Sequence, residues 1–270
     1  MNTPPPLPSP VPPPAPDWRR ALGGVWRLTY RRFLAPKQLA ILAGLFALLA
    51  LLVLSALHHN HGLRLKKDFA EWSVQFYLAF VVPVIAFLSA GGVVRDDMTP
   101  ATVDYVLTRP LRRHAFVLYR YLAQTACLQV QSLLALGVLV GVGAYRQVPD
   151  LSETLPSLLL AQILAIPAFS ALGFAFGAYT SRFLILGLFY GGIIEIGIGN
   201  IPTQLNSLSM SHQVRTIASS ILPFRGKAAQ YADSLPSAVG TLLVLTLVFI
   251  ALAAVLFSFR EAAGTKPKDA

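Results

Sequence analysis

Six long apolar runs, nearly free of charged residues, dominate the pattern of hydrophobic and polar positions along this chain. About 20 helical residues, rising 1.5 Å each, cross a hydrocarbon core about 30 Å thick. Every run is long enough to do so. The pattern therefore predicts an all-α polytopic membrane protein with six transmembrane helices: Gln38–Leu57, Trp72–Val94, Phe116–Tyr145, Leu155–Ala178, Phe183–Ile201 and Ala238–Phe259.

The segments outside these runs complete a four-part organisation. Residues 1–16 contain nine prolines and no charge, which is typical of a disordered tail. Residues 17–37 predict an interfacial amphipathic helix, residues 38–260 the six-span domain, and residues 261–270 a cytoplasmic tail. In the amphipathic helix one face carries Trp18, Leu22, Val25, Thr29 and Phe33, and the opposite face carries Arg20, Arg27 and Arg31.

The distribution of basic residues predicts the orientation in the membrane. With the N-terminus inside, the inner segments hold 15 Lys and Arg against 7 in the outer ones. Cytoplasmic loops carry such an excess, so both termini are expected in the cytoplasm, in a bacterial inner membrane. The formal net charge of +10 is then explained by contact with anionic lipid, and no nucleic acid partner is expected.

Composition and motifs argue against catalysis by this chain alone. Charged residues make up 13% of the chain, compared with about 25% in soluble domains. The sequence contains no P-loop, no H-E-x-x-H and no G-x-S-x-G motif. We therefore expect a non-enzymatic membrane protein without a bound cofactor.

The inner connection between the second and third spans, Arg95–Leu122, has the pattern of a short capped helix. Thr99 is a favourable N-cap and Pro100 suits the first helical position, while Pro110 forces an end near Arg109. Asp96 and Asp97 precede the helix, where its dipole favours anions. A plain charged loop is the alternative, but a rigid capped helix is better explained as an element that docks a partner.

The outer connection, Pro202–Pro236, is long and semi-apolar. Its apolar positions have loosely helical spacing, which predicts short helices that rest on the outer surface or dip into the membrane. Glycines four residues apart in three of the spans predict close helix packing, at Gly137 and Gly141, Gly173 and Gly177, and Gly187 and Gly191.

Six spans, the amphipathic helix and the inner connection resemble the permease subunits of type-2 ATP-binding-cassette exporters. Asp96 and Asp97 match the acidic stretch of that family, and Thr102–Leu107 its small inner helix. Pro110 with the following arginines matches its Pro-basic element. The chain departs from the family at two places: Tyr119–Arg120 replaces Gly-Lys, and Pro100-Ala101-Thr102 replaces Gly-Thr-Leu. The resemblance covers about residues 17–260.

This resemblance implies that ATP hydrolysis and transport are carried out by different subunits. The small inner helix would be a coupling helix seated in a separate ATP-binding-cassette ATPase, which would bind ATP and Mg. The permease would work as a dimer with a second copy or a paralogue, and would export a substrate that the sequence does not identify. The implied ATPase-coupling residues are Asp96, Asp97, Thr102, Val103, Tyr105, Val106, Leu107, Arg112 and Arg113.

Two further features leave alternatives open. Glu195 is the one acidic residue deep in a span, and it is either a gate or contact on the translocation path or a structural hydrogen-bond acceptor. His58, His59 and His61 are weak candidates for Cu or Zn binding, but histidines at a membrane interface need no metal. The alternative functions are a secondary transporter and a non-transport subunit that assembles a membrane complex.

Overall fold

The computed structural model describes residues 18–58, 62–98, 113–197, 199, 204–221 and 234–264. Within these ranges every regular element is helical and none is a strand. We name the α-helices α1 Trp18–Phe33, α2 Pro36–Ala56, α3 Gly62–Trp72, α4 Val82–Asp97, α5 Arg113–Tyr145, α6 Leu151–Tyr179, α7 Phe183–Tyr190, α8 Met210–Ile221 and α9 Leu235–Gly264. Two π-helical segments, Ser73–Val81 and Gly191–Gly197, and a 3₁₀ turn, Gln204–Leu208, connect some of them.

Five helices in the described part of the chain are long and apolar enough to cross a membrane, as the sequence predicts for five of its six runs. The second of them is continuous through α3, the first π segment and α4, because the π segment widens the helix without interrupting it. The five spans are Pro36–Ala56, Arg64–Asp97, Ala115–Tyr145, Leu151–Tyr179 and Leu235–Phe259.

The predicted span Phe183–Ile201 differs from the structure. Here the described helix is the shorter apolar stretch Phe183–Gly197, whose second half is π-helical. Glycine costs about 1 kcal/mol in a helix interior, and the sequence GGIIEIGIG places four glycines in nine residues. A regular membrane-length α-helix is therefore disfavoured at this position.

The chain nevertheless moves along the bundle between α7 and α8. The Phe183 ring lies against Gly91, whereas the Ser211 hydroxyl lies 3.5 Å from the carbonyl oxygen of Ala79. Gly91 and Ala79 are 12 residues apart on the second span, which corresponds to about 18 Å of rise. Phe183 and Ser211 thus contact the second span at levels about 18 Å apart, which is about three-fifths of a bilayer core.

The core of the bundle is α6, which packs most extensively against α4 and α9. A Cβ atom added to Gly173 would lie 2.5 Å from the carbonyl oxygen of Phe87, and one added to Gly177 would lie 2.8 Å from that of Gly91. This predicted close packing is therefore confirmed, within one chain. A Cβ atom at Gly137 or at Gly141 would meet open space.

α8 lies within the predicted outer connection and is inserted among the other helices. Met210, Val214, Ile217 and Ala218 are fully buried on one of its faces. This face packs against α6, the first π segment and α9. α8 therefore lies in the part of the chain for which short outer helices were predicted, and its buried face packs within the bundle.

Both described ends of the chain lie at the same end of the bundle, which we call the inner end. Thr29 of α1 contacts Arg120 near the start of α5, and the Phe116 and Phe257 rings are 6.1 Å apart. α9 runs to Gly264, so the predicted tail 261–270 begins within a helix. The predicted tail 1–16 and the predicted inner helix at Thr102–Leu107 lie outside the described residues.

Candidate functional site at the ends of the inner connection

A buried ion pair joins the two helices between which the inner connection runs. Arg120 is 4% exposed and donates to Asp97 through two bonds, Nε to Oδ2 at 2.7 Å and Nη2 to Oδ1 at 3.1 Å. This is the fork geometry in which guanidinium and carboxylate bind most strongly. Asp97 is the last residue of α4 and Arg120 lies two turns into α5, so the pair fixes the chain on both sides of residues 99–112.

The same arginine also holds α1. Its Nη1 donates to Thr29 Oγ1 at 2.5 Å, and the Thr29 hydroxyl donates in turn to the carbonyl oxygen of Val25 at 2.9 Å. Thr29 is the most buried described side chain of α1, and half-buried Leu22, Val25 and Phe33 share its face. Three helices therefore meet at one guanidinium group. We call Thr29, Asp97 and Arg120 the inner cluster.

A second ion pair lies beside the inner cluster, nearer the surface. Arg32, in the last turn of α1, donates to Asp96 Oδ2, and both side chains are about half exposed. An exposed pair of this kind stabilises by only about 0–1 kcal/mol. Its position adds a second link between α1 and the end of α4.

Apolar side chains pack against one side of the inner cluster. Val94, Phe116, Val117 and Phe174 surround a void of about 10 Å³ next to Asp97 and Arg120. A void of this size accommodates at most one water molecule. The ion pair is therefore largely shielded from water, and the loss of either partner would leave an uncompensated buried charge.

The residues predicted to couple to an ATPase fall into three groups. Asp96 and Asp97 are positioned by ion pairs within the chain, at the exit of the second span. Arg113 begins α5, so it lies at the entry to the third span, and its side chain is not described. Thr102, Val103, Tyr105, Val106, Leu107 and Arg112 lie outside the described residues.

Sequence reasoning did not identify Arg120 as the partner of Asp97, or Thr29 as a partner of Arg120. Thr29 stood in an apolar stripe, and Arg120 stood where the resembling family has Gly-Lys. Each carries a signal in retrospect: Thr29 is the one polar side chain of that stripe, and Arg120 is the one charge in its predicted span. Such isolated polar groups require a partner.

Glu195 lies in a second buried polar arrangement, at the N-terminus of α8. It is 9% exposed and accepts hydrogen bonds from Ser209 Oγ at 2.8 Å, Ser211 N at 2.8 Å and Met210 N at 3.2 Å. A carboxylate at this position satisfies backbone N–H groups that have no partner within the helix, and it complements the helix dipole. These contacts match the structural role among the two proposed for Glu195.

Arg215 lies one turn further along α8. Burial lowers the pKa of its guanidinium group, and the negative charge of Glu195 opposes this shift. Arg215 also packs back on its own helix, where Nε donates to the carbonyl oxygen of Ser211 at 3.3 Å. Glu195, which caps the N-terminus of α8, and Arg215, on α8 itself, are thus two opposite charges in the same part of the bundle.

The histidine cluster is only partly described. His58 is exposed at the end of α2, and its carbonyl oxygen accepts a hydrogen bond from Arg146 Nη2 at 3.2 Å. His59 and His61 lie outside the described residues. In the part of the chain that the structure covers, no three His, Cys, Asp or Glu side chains are grouped to hold a metal ion.

Comparison with known proteins assigns no family to this chain. No protein-family model matches it, and no curated protein matches it either. Its function is therefore inferred from its own residues, above all from the inner cluster.

Proposed function

We propose that this chain is the transmembrane permease subunit of an ATP-binding-cassette exporter. In this proposal ATP and Mg bind to separate cytoplasmic ATPase subunits, and the permease pairs with a second copy or a paralogue. The inner end of the bundle faces the cytoplasm of a bacterial cell, with both termini there. The chain itself catalyses no reaction and couples ATP hydrolysis elsewhere to outward transport.

The inner cluster is the observation that carries this proposal. A cytosolic motor that pushes residues 99–112 would act on a segment fixed at Asp97 on one side and shortly after Arg113 on the other. Because Arg120 binds both Asp97 and Thr29, the displacement would reach α4, α5 and α1 together. Rigid elements linked by buried polar contacts transmit such movements better than a loose loop does.

The path from α7 to α8 supports the six-span form of the proposal. Residues 183–211 begin beside Gly91, near the inner end, and finish beside Ala79, toward the outer end. If this broken segment is the fifth crossing, the N- and C-terminal parts lie on one side of the membrane. The position of α1 and of the end of α9 at the same end of the bundle supports this form.

The proposal is tested by purifying the tagged full-length chain from the membranes of its own cells and measuring Mg-ATP hydrolysis in the purified material. We expect hydrolysis with the wild type and its loss in the Leu107→Asp variant, because a charge in the inner helix would disrupt its seat on the ATPase. Tyr145→Asp is the matched control, since Tyr145 is 79% exposed at the opposite end of α5. If the material purified with Leu107→Asp hydrolyses Mg-ATP as fast as the wild-type material does, the proposal is contradicted.

A further inference from the structure

A lateral groove lies between α2, the second span and α5. Its volume is about 310 Å³, and twelve of its sixteen lining residues are apolar. The four polar residues are Gln38 near the start of α2, Ser89 on α4, and Gln131 and Ser132 on α5. The groove is separate from the inner cluster and from Glu195, and neither contributes to its walls.

The groove runs along the membrane for more than the depth of one leaflet. On α2 it extends from Gln38 to Leu52, a rise of about 21 Å, whereas half of a hydrocarbon core is about 15 Å. Its α2 wall remains accessible, with Ile41 at 59% and Leu48 at 52% exposed. A long, narrow, open apolar channel of this kind matches a hydrocarbon chain better than it matches a compact solute.

The mouth of the groove is positively charged and lies at the corner between α1 and α2. Lys37 is exposed beside the groove residue Gln38 at the start of α2, and Phe33 lines the groove across the corner, on α1. Trp26 and Tyr30 are 44% and 51% exposed nearby on the same helix, as is typical of side chains at the level of lipid headgroups. Cationic side chains at this level attract anionic headgroups.

We propose that the groove binds one acyl chain of an anionic glycerophospholipid, with the lipid phosphate at the α1–α2 corner beside Lys37 and Gln38. The lipid comes from the leaflet that contains α1. The positive mouth favours this occupant over a second copy of the chain, whose formal net charge is +10. The site does not depend on the exporter function.

The experiment uses the full-length protein in liposomes that contain phosphatidylglycerol with a diazirine on one acyl chain. A parallel sample contains phosphatidylcholine with the same labelled chain. After illumination, mass spectrometry locates the cross-links. We expect phosphatidylglycerol to label the groove residues Leu45 and Ala135 in preference to Leu51, which is 64% exposed on α2 but does not line the groove. Phosphatidylcholine should label the groove several-fold less.

Variants separate the site from bulk lipid contact. Leu45→Trp fills the groove and should abolish the preferential labelling, whereas Leu51→Trp adds the same bulk to another face of the same helix and should not. Ala135→Phe fills the groove from α5 and gives a second, independent obstruction. Lys37→Gln should lower phosphatidylglycerol labelling by about fivefold while leaving phosphatidylcholine labelling unchanged.

Three results would overturn the proposal. The first is equal labelling of the groove and of the Leu51 face, or labelling that survives both Leu45→Trp and Ala135→Phe. The second is equal labelling by the two lipids, which would show that the groove does not select an anionic headgroup. The third is a groove occupied by a second protein copy, detected as chain-to-chain cross-links between engineered cysteines at position 45.

Discussion

The Nε atom of Arg120 lies 2.7 Å from Asp97 Oδ2, and this contact joins α5 to the last residue of α4 across 23 positions of sequence. The carboxylate is only slightly exposed and the guanidinium group almost not at all. Thr29 completes the arginine's contacts from α1. Asp97 ends α4, where the inner connection leaves, and Arg120 lies two turns beyond Arg113, where α5 begins, so the pair links the two helices to which the connection is attached.

The first prediction concerns the stability of this ion pair. Replacing Asp97 by Asn or Arg120 by Met should each lower the free energy of unfolding by about 3–5 kcal/mol, because the remaining charge stays buried without its partner. The double variant Asp97→Leu with Arg120→Met should recover most of the loss. Thermal unfolding of the purified protein in detergent measures all three.

The control for this prediction is the neighbouring exposed pair. Arg32→Met removes the partner of Asp96 and should cost at most about 1 kcal/mol, since both side chains are half exposed. An Arg120→Met variant as stable as Arg32→Met would show that the inner cluster does not hold the three helices together.

The second prediction concerns Glu195 as the cap of α8. Glu195→Ala removes the acceptor for Ser211 N and Met210 N and should destabilise the start of α8 by about 1–3 kcal/mol. Glu195→Gln keeps one carbonyl acceptor and should cost less. Hydrogen exchange of residues 210–213 should therefore accelerate more in the alanine variant than in the glutamine variant.

The same variants distinguish a structural role of Glu195 from a role in the proposed transport. If Glu195 is purely structural, the pH profile of the proposed transport is unchanged in Glu195→Gln once the lower stability of the variant is taken into account. A shifted pH profile, with hydrogen exchange of α8 like that of the wild type, would instead support a proton or substrate contact at this position.

The third prediction uses the glycines as a matched set. Gly177→Ala places a methyl group 2.8 Å from the carbonyl oxygen of Gly91 and should destabilise the bundle by about 1–3 kcal/mol, because both backbones are fixed in packed helices. Gly137→Ala meets open space and should stabilise α5 by up to about 1 kcal/mol. Melting temperatures of the two variants should shift in opposite directions, and equal shifts would contradict the close approach of α4 and α6.

Apolar runs were sufficient to predict five spans because hydrocarbon thickness imposes one length on all of them. For the predicted span Phe183–Ile201 the described helix is the shorter stretch Phe183–Gly197, because hydropathy alone does not register the cost of repeated glycines. Apolar runs also could not show that Glu195 turns toward the N-terminus of α8. That contact depends on Ser209 and Ser211, which lie 14 and 16 positions away in the chain.

The inner cluster is a second example of contacts that the sequence pattern does not predict. Asp97 was identifiable because it follows an apolar run and precedes a capped segment. The other two members of the inner cluster were not identifiable, since Thr29 is 91 positions from Arg120 and reaches it only when α1 folds back on α5. Helical spacing predicts which face of α1 is buried, but it does not predict which helix covers that face.

The most direct test of the central claim is to determine on which side of the membrane the inner connection lies. Cysteine is introduced at Thr102 in one variant and at Tyr145, at the opposite end of α5, in another, with the buried native Cys127 as background. A membrane-impermeant maleimide is applied to right-side-out and to inverted membrane vesicles. We predict that Thr102→Cys is labelled only in inverted vesicles and Tyr145→Cys only in right-side-out vesicles. Labelling of Thr102→Cys in right-side-out vesicles would contradict the account, because no cytosolic ATPase reaches that side.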